Sequence, residues 1–168
     1  MDQRLADLWR RIQSFSFDDG DVDHPFAARL ARENRWSAEF TARVIEEYRR
    51  FVFLSVAAGH AVTPSKIVDE AWHLHLIYTR SYWERLCPLV LGRPLHHEPS
   101  RGGAQEEEKF REQYRKTLAS YRRFFPAIHR RISGPRPIAP ARQTASRVPQ
   151  APFVGRLHGP VDSLLPHC

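Results

Sequence analysis

Thr63-Pro64-Ser65-Lys66-Ile67-Val68-Asp69-Glu70-Ala71-Trp72-His73-Leu74-His75-Leu76-Ile77-Tyr78-Thr79-Arg80-Ser81-Tyr82-Trp83-Glu84-Arg85-Leu86 is the stretch that decides the fold. Its apolar residues recur at three and four positions, the period of a helix with one buried face. Thr63-Pro64 supplies a start signal, and Pro88 a stop. At about 100° per residue, with Asp69 set to zero, Val68, Trp72, His75, Leu76, Thr79, Tyr82, Trp83 and Leu86 fall on an arc of roughly 220–340°. That arc is the expected core face. Asp69, His73 and Arg80 lie at its edge, and Glu70, Ser81 and Glu84 turn toward solvent.

The same reading extends to the rest of 1–132. Leu5, Leu8, Trp9, Ile12 and Phe15 make one apolar stripe, broken by Asp18-Asp19-Gly20-Asp21. Asp23 and Pro25 suit the cap and first turn of a short second helix. Ser37 caps a third, carrying Phe40, Val44, Ile45, Tyr48, Phe51, Val52 and Leu54, and Gly59 ends it. A loop over 88–103 precedes a fifth helix that opens on Gln105-Glu106-Glu107-Glu108, with Phe110, Tyr114, Leu118, Tyr121 and Phe125 as its stripe. No alternating strand pattern and no repeat interrupts this. The expectation is an all-α domain over 1–132, an irregular bundle of about five helices.

Beyond Ile132 the composition changes. Residues 133–168 contain seven prolines, with four arginines against one aspartate. Proline removes backbone donors and fixes φ, and too little apolar surface remains to offset ordering entropy. A disordered Pro/Arg-rich tail is expected, one able to engage a protein partner's groove. The whole chain of 168 residues carries +7, of which the tail holds +3. Charge of that size supports only salt-sensitive, non-specific attachment to nucleic acid, so nucleic acid is not an expected partner. No run approaches the ~18 apolar residues of a membrane span, and the N-terminus does not read as a signal peptide. Two cysteines, Cys87 and Cys168, make no disulfide framework, which fits a reducing cytoplasm.

The chemistry concentrates in histidine. Five of nine lie between His60 and His97. His73 and His75 are about 200° apart on a regular helix, so they cannot share one ion. Asp69 and His73, at i and i+4, can. His96 or His97 can add a third ligand from the loop, one of the pair facing the site. Two imidazoles and a carboxylate with open positions suit Zn²⁺ or Fe²⁺, and water on such an ion supports hydrolysis, with Glu70 or Glu98 as the nearest base. A rival site builds on His75 with the loop histidines. Alternatively, His75 is a core histidine satisfied by a hydroxyl, with Trp72, Thr79 and Tyr82 in reach. Arg101 beside Gly102-Gly103 can assist an anion, although a plain turn accounts for the same residues. A second Glu-x-x-His is absent, which argues against a di-iron bundle, and His-Glu-x-x-His is absent too.

Pro64-Ser65-x-x-Val68-Asp69-Glu70-x-Trp72-His73-Leu74-His75-x-x-Tyr78-Thr79-x-x-Tyr82-Trp83, followed by Leu91-Gly92-Arg93-Pro94-Leu95-His96-His97-x-Pro99-Ser100-x-Gly102-Gly103, resembles the bacterial branch of the glycine-rich domain-containing-protein-like family. The resemblance implies a mostly helical domain of poorly characterised function. It transfers no catalytic assignment, and the chain's eight glycines and proline-arginine tail depart from that family's plant members.

Overall fold

In the computed structural model, the residues described are 2–126 apart from Asp19, Asp21, Pro99 and Arg101. The expected tail over 133–168 and the anion role of Arg101 lie outside them. Local capping explains where three of the helices begin. Asp2 accepts a hydrogen bond from the Leu5 N–H and opens α1, Gln3–Ser14. Ser37 does the same for Phe40 at the head of α3, Ala38–Ala57, and Ser65 for Val68 at the head of α4, Lys66–Ile77. The second helix, α2, runs Phe26–Asn34, but its cap is not the expected Asp23. The Phe26 N–H donates to Asp18 Oδ1 at 2.7 Å, so the acidic break after α1 folds back to satisfy it.

The fourth helix departs from expectation in its length. It stops at Ile77, where Tyr78 takes ψ 63°, and a π-helix follows over Arg80–Leu91. Pro88 sits inside that π-helix rather than ending it. Its missing N–H removes one bond of the ladder while the exposed ring meets solvent. Gly92, at φ 68°, closes the segment by donating its N–H to Cys87 O. Six helical segments are therefore present among the described residues, with no strand.

The buried face differs from the expected arc. Val68, Ala71, Trp72, Leu74 and His75 are buried on α4, whereas Leu76 is half-buried and Thr79 and Trp83 are exposed. The buried arc is thus about 140–300° on the same wheel, with His75 near its middle. Asp69 and His73 stay outside it.

Helix α3 packs against α1, α2, α4 and α5, so its Tyr48, Val52, Phe53 and Leu54 form the centre of the core. The last helix, α5, Ala104–Phe124, lies on the periphery. Its expected stripe is only partly covered: Tyr114 and Leu118 are exposed, and Thr117 is the buried residue. Its C-terminal end packs Phe124 and Phe125 on Phe53, and polar contacts add to this. The Thr63 N–H donates to Thr117 Oγ1, His60 Nε2 meets Ser120 Oγ, and Tyr121 donates to Glu47. No helix among the described residues is long and apolar enough to cross a membrane.

Candidate metal centre

Asp69 lies in the first turn of α4 and His73 one turn later, on the edge left uncovered by the core. The Nε2 of His73 is 3.7 Å from Asp69 Oδ2. The loop after the π-helix brings His97 to the other oxygen, with Nε2 3.0 Å from Oδ1. The imidazoles of His73 and His97 lie 4.5 Å apart, centroid to centroid. One ligand atom from each of the three residues falls within 4.8 Å of the others. A tetrahedral ion with bonds of about 2.0–2.1 Å would hold its ligands roughly 3.3–3.4 Å apart, so small side-chain rotations separate this geometry from coordination.

The loop histidines divide as their adjacency demands. His97 is half-buried against the Trp72 ring, at 4.4 Å, while His96 is exposed and leans on Trp83 at 5.5 Å. Both reach the wall of a cavity of about 590 Å³ beneath α5, shared with Trp72, Glu98, Lys109 and Phe110. Glu98 is therefore the candidate base on the cavity wall. Glu70 is exposed on the solvent side of α4 and does not line the cavity.

His75 is placed apart from this cluster, and its surroundings fix its protonation. Its Nδ1 meets Tyr48 Oη at 3.0 Å and its Nε2 meets Ser81 Oγ at 3.1 Å. The Ser81 hydroxyl proton goes to the Phe17 carbonyl at 2.8 Å. Ser81 must then accept from His75, so Nε2 carries the hydrogen and Nδ1 accepts from the Tyr48 phenol. Phe17 and Tyr82 press edge-on against the ring at 4.9 and 5.1 Å. Desolvation, reinforced by Arg85 and Arg49, pulls the imidazole pKa down to about 3. With both nitrogens committed, His75 has no lone pair for a metal, which removes the rival site. Nor is Ser81–His75 a nucleophile–base pair, because the proton sits on the nitrogen that would have to accept it.

The expected partners of His75 also differ. Thr79 is exposed at the mouth of a separate cavity. Tyr82 touches the ring but sends its hydroxyl elsewhere: it accepts from Trp72 Nε1 at 2.8 Å and donates to the Leu95 carbonyl. Tyr48 and Ser81 escaped the sequence reading for different reasons. Tyr48 is on another helix, with no local signal, and Ser81 turns inward only because of the break at Tyr78. Cys87 is a packed residue, and burial pushes its thiol up.

A family model described as UCP032817-like matches residues 9–131. The chain belongs to the UCP032817-like family. This corrects the expected resemblance to the glycine-rich domain-containing-protein-like family: the UCP032817-like match runs over almost all the described helices. No curated protein and no solved structure matches the chain. All three residues of the cluster lie within the matched region.

Proposed function

We propose that Asp69, His73 and His97 hold a divalent transition-metal ion, Zn²⁺ or Fe²⁺, and that the protein is a small metal-dependent hydrolase. The observation that carries the reading is the convergence of two imidazole nitrogens and a carboxylate oxygen within 4.8 Å, supplied by one helix and one distant loop. Three protein ligands leave coordination positions open, the arrangement of catalytic rather than closed structural sites. Water at an open position would lose a proton near neutral pH and become the nucleophile. We assign to Glu98, next to His97 in the chain and on the wall of the adjoining cavity, the role of taking that proton.

Metal analysis of the purified full chain after loading with Zn²⁺ or Fe²⁺ and dialysis tests the first half. One equivalent per chain is expected, falling below a tenth in His97→Ala and Asp69→Asn. Substoichiometric metal in the unaltered protein, with thermal stability unmoved by added Zn²⁺ or Fe²⁺, would overturn it. Hydrolysis is tested by a panel of ester, amide and phosphoester substrates, with turnover expected only in the loaded protein and reduced at least tenfold in Glu98→Gln.

A further inference from the structure

His97 comes from a loop, and a ligand on a loop is only as well placed as whatever fixes the backbone beside it. The loop is anchored at two points near His97. The phenol of Tyr82 donates to the carbonyl of Leu95, two residues before His97, and the backbone N–H of Arg93 donates to the Cys87 carbonyl at 3.1 Å. Trp72 completes the arrangement from α4. Its indole N–H donates to the Tyr82 oxygen at 2.8 Å, and its ring lies 4.4 Å from the His97 imidazole.

Tyr82 is fully buried and Trp72 nearly so, and burial raises the Tyr82 pKa, so its hydroxyl remains a donor through the working pH range. The proton order along the chain is thereby fixed. Trp72 can only donate, Tyr82 accepts from it and passes its own hydrogen to Leu95. Loss of the Tyr82 hydroxyl leaves the Leu95 carbonyl to find water and frees the segment that carries His97.

We infer that Tyr82 is a positioning residue for the metal centre, holding the 95–97 backbone so that His97 meets Asp69 and His73. This rests on the proposed metal reading. It predicts that Tyr82→Phe, which keeps the ring and its contacts, lowers Zn²⁺ affinity about 10–100-fold, the usual scale for losing an outer support of a metal ligand.

Two measurements on the full chain separate positioning from general loosening. Zn²⁺ affinity, read by competition with a chromophoric chelator, is compared with that of Arg49→Leu, a destabilising change at the α1–α3 contact, where the guanidinium bonds Ile12 and Phe15 rather than the loop. Backbone ¹⁵N relaxation of residues 95–97 is recorded without metal. The Phe variant is expected to lose affinity while the Arg49 variant stays within threefold of the parent, and its order parameters at 95–97 to drop from about 0.85 toward 0.6. Trp72→Phe, which keeps an aromatic ring at that position and the Tyr82–Leu95 bond but removes the indole N–H, should fall between them. Equal affinity losses in the Tyr82 and Arg49 variants, or unchanged order at 95–97, would overturn the inference. A parent protein that binds no Zn²⁺ would instead overturn the metal reading, while the relaxation result still reports whether Tyr82 fixes the loop.

Discussion

The Nε2 of His97 meets Asp69 Oδ1 at 3.0 Å across 28 positions of chain. This contact ties the loop after the π-helix to the first turn of α4, and it supplies half of the proposed coordination sphere. A ligand that binds only the folded state stabilises it by mass action, about 2.7 kcal/mol at a hundredfold excess over Kd. For a chain of this size that is a rise of roughly 5–10 °C in Tm. Asp69→Asn retains a side chain able to accept from His97 but loses the charge. We expect its metal-free Tm to stay within about 3 °C of the parent, and the Zn²⁺-dependent rise to disappear. Differential scanning calorimetry with and without Zn²⁺ checks both; a full rise in the Asn variant contradicts the assignment.

His75 predicts how stability depends on pH. Its folded pKa is depressed to about 3, against about 6.5 in the unfolded chain. The unfolded chain therefore binds the proton first as pH falls. The contribution is fully present above about pH 6.5 and declines below it, by up to roughly 1.4 kcal/mol per pH unit, until the folded imidazole itself protonates near 3. Between pH 7 and pH 5 this residue accounts for a loss of about 2 kcal/mol. Urea unfolding of the parent and of His75→Phe at the two pH values isolates that share. The Phe variant starts lower at pH 7, by about 1–3 kcal/mol, because Tyr48 and Ser81 lose their partner, but its further decline to pH 5 is smaller. Parallel declines in the two proteins would contradict the burial argument.

Arg49 joins α3 to the end of α1. Its guanidinium donates to the Ile12 and Phe15 carbonyls, the latter at 2.9 Å, and stacks over Phe17 at 4.7 Å. Both carbonyls belong to the C-terminal end of α1, where a cation also complements the helix dipole. Arg49→Leu preserves the apolar stem and removes the donors. We expect a loss of about 2–4 kcal/mol in urea unfolding, with metal affinity retained. A loss below 0.5 kcal/mol would show that water replaces the guanidinium at these carbonyls.

Most of the helices were legible because their apolar period and end signals are local. Ser37 and Ser65 sit one residue before their helices, and Asp69–His73 spacing follows from the helical repeat alone. What failed depends on information that no short window contains. The turn at Tyr78 looks like continued helix in sequence, since Thr79, Tyr82, Trp83 and Leu86 keep a three-to-four period. Once the turn occurs, every later residue is rotated, so Ser81 enters the core and Thr79 and Trp83 leave it. Asp18 at the α2 terminus, Tyr48 at His75 and Tyr82 at Leu95 are tertiary polar contacts with no periodic signature. The choice of His97 over His96 was likewise not readable, because alternation says that one faces inward but not which.

Ser65 offers a last test, because it links helix capping to the site. Its hydroxyl accepts from the Val68 N–H, and the carbonyl of Ser65 accepts from the Asp69 N–H at 2.9 Å. Asp69 is therefore held by the first turn that Ser65 caps. Ser65→Ala should cost about 1 kcal/mol and fray that turn. Ser37 is a matched control, since it caps α3 by the same contact with Phe40 and lies far in sequence from any ligand. Ser37→Ala should cost a similar amount. Only the Ser65 variant should also weaken Zn²⁺ binding, by about threefold to tenfold, because the frayed turn must reform before Asp69 can coordinate. Chelator competition on the two variants reads the difference, and equal affinities would mean that Asp69 is held by its contacts with His97 and His73 rather than by the helix that carries it.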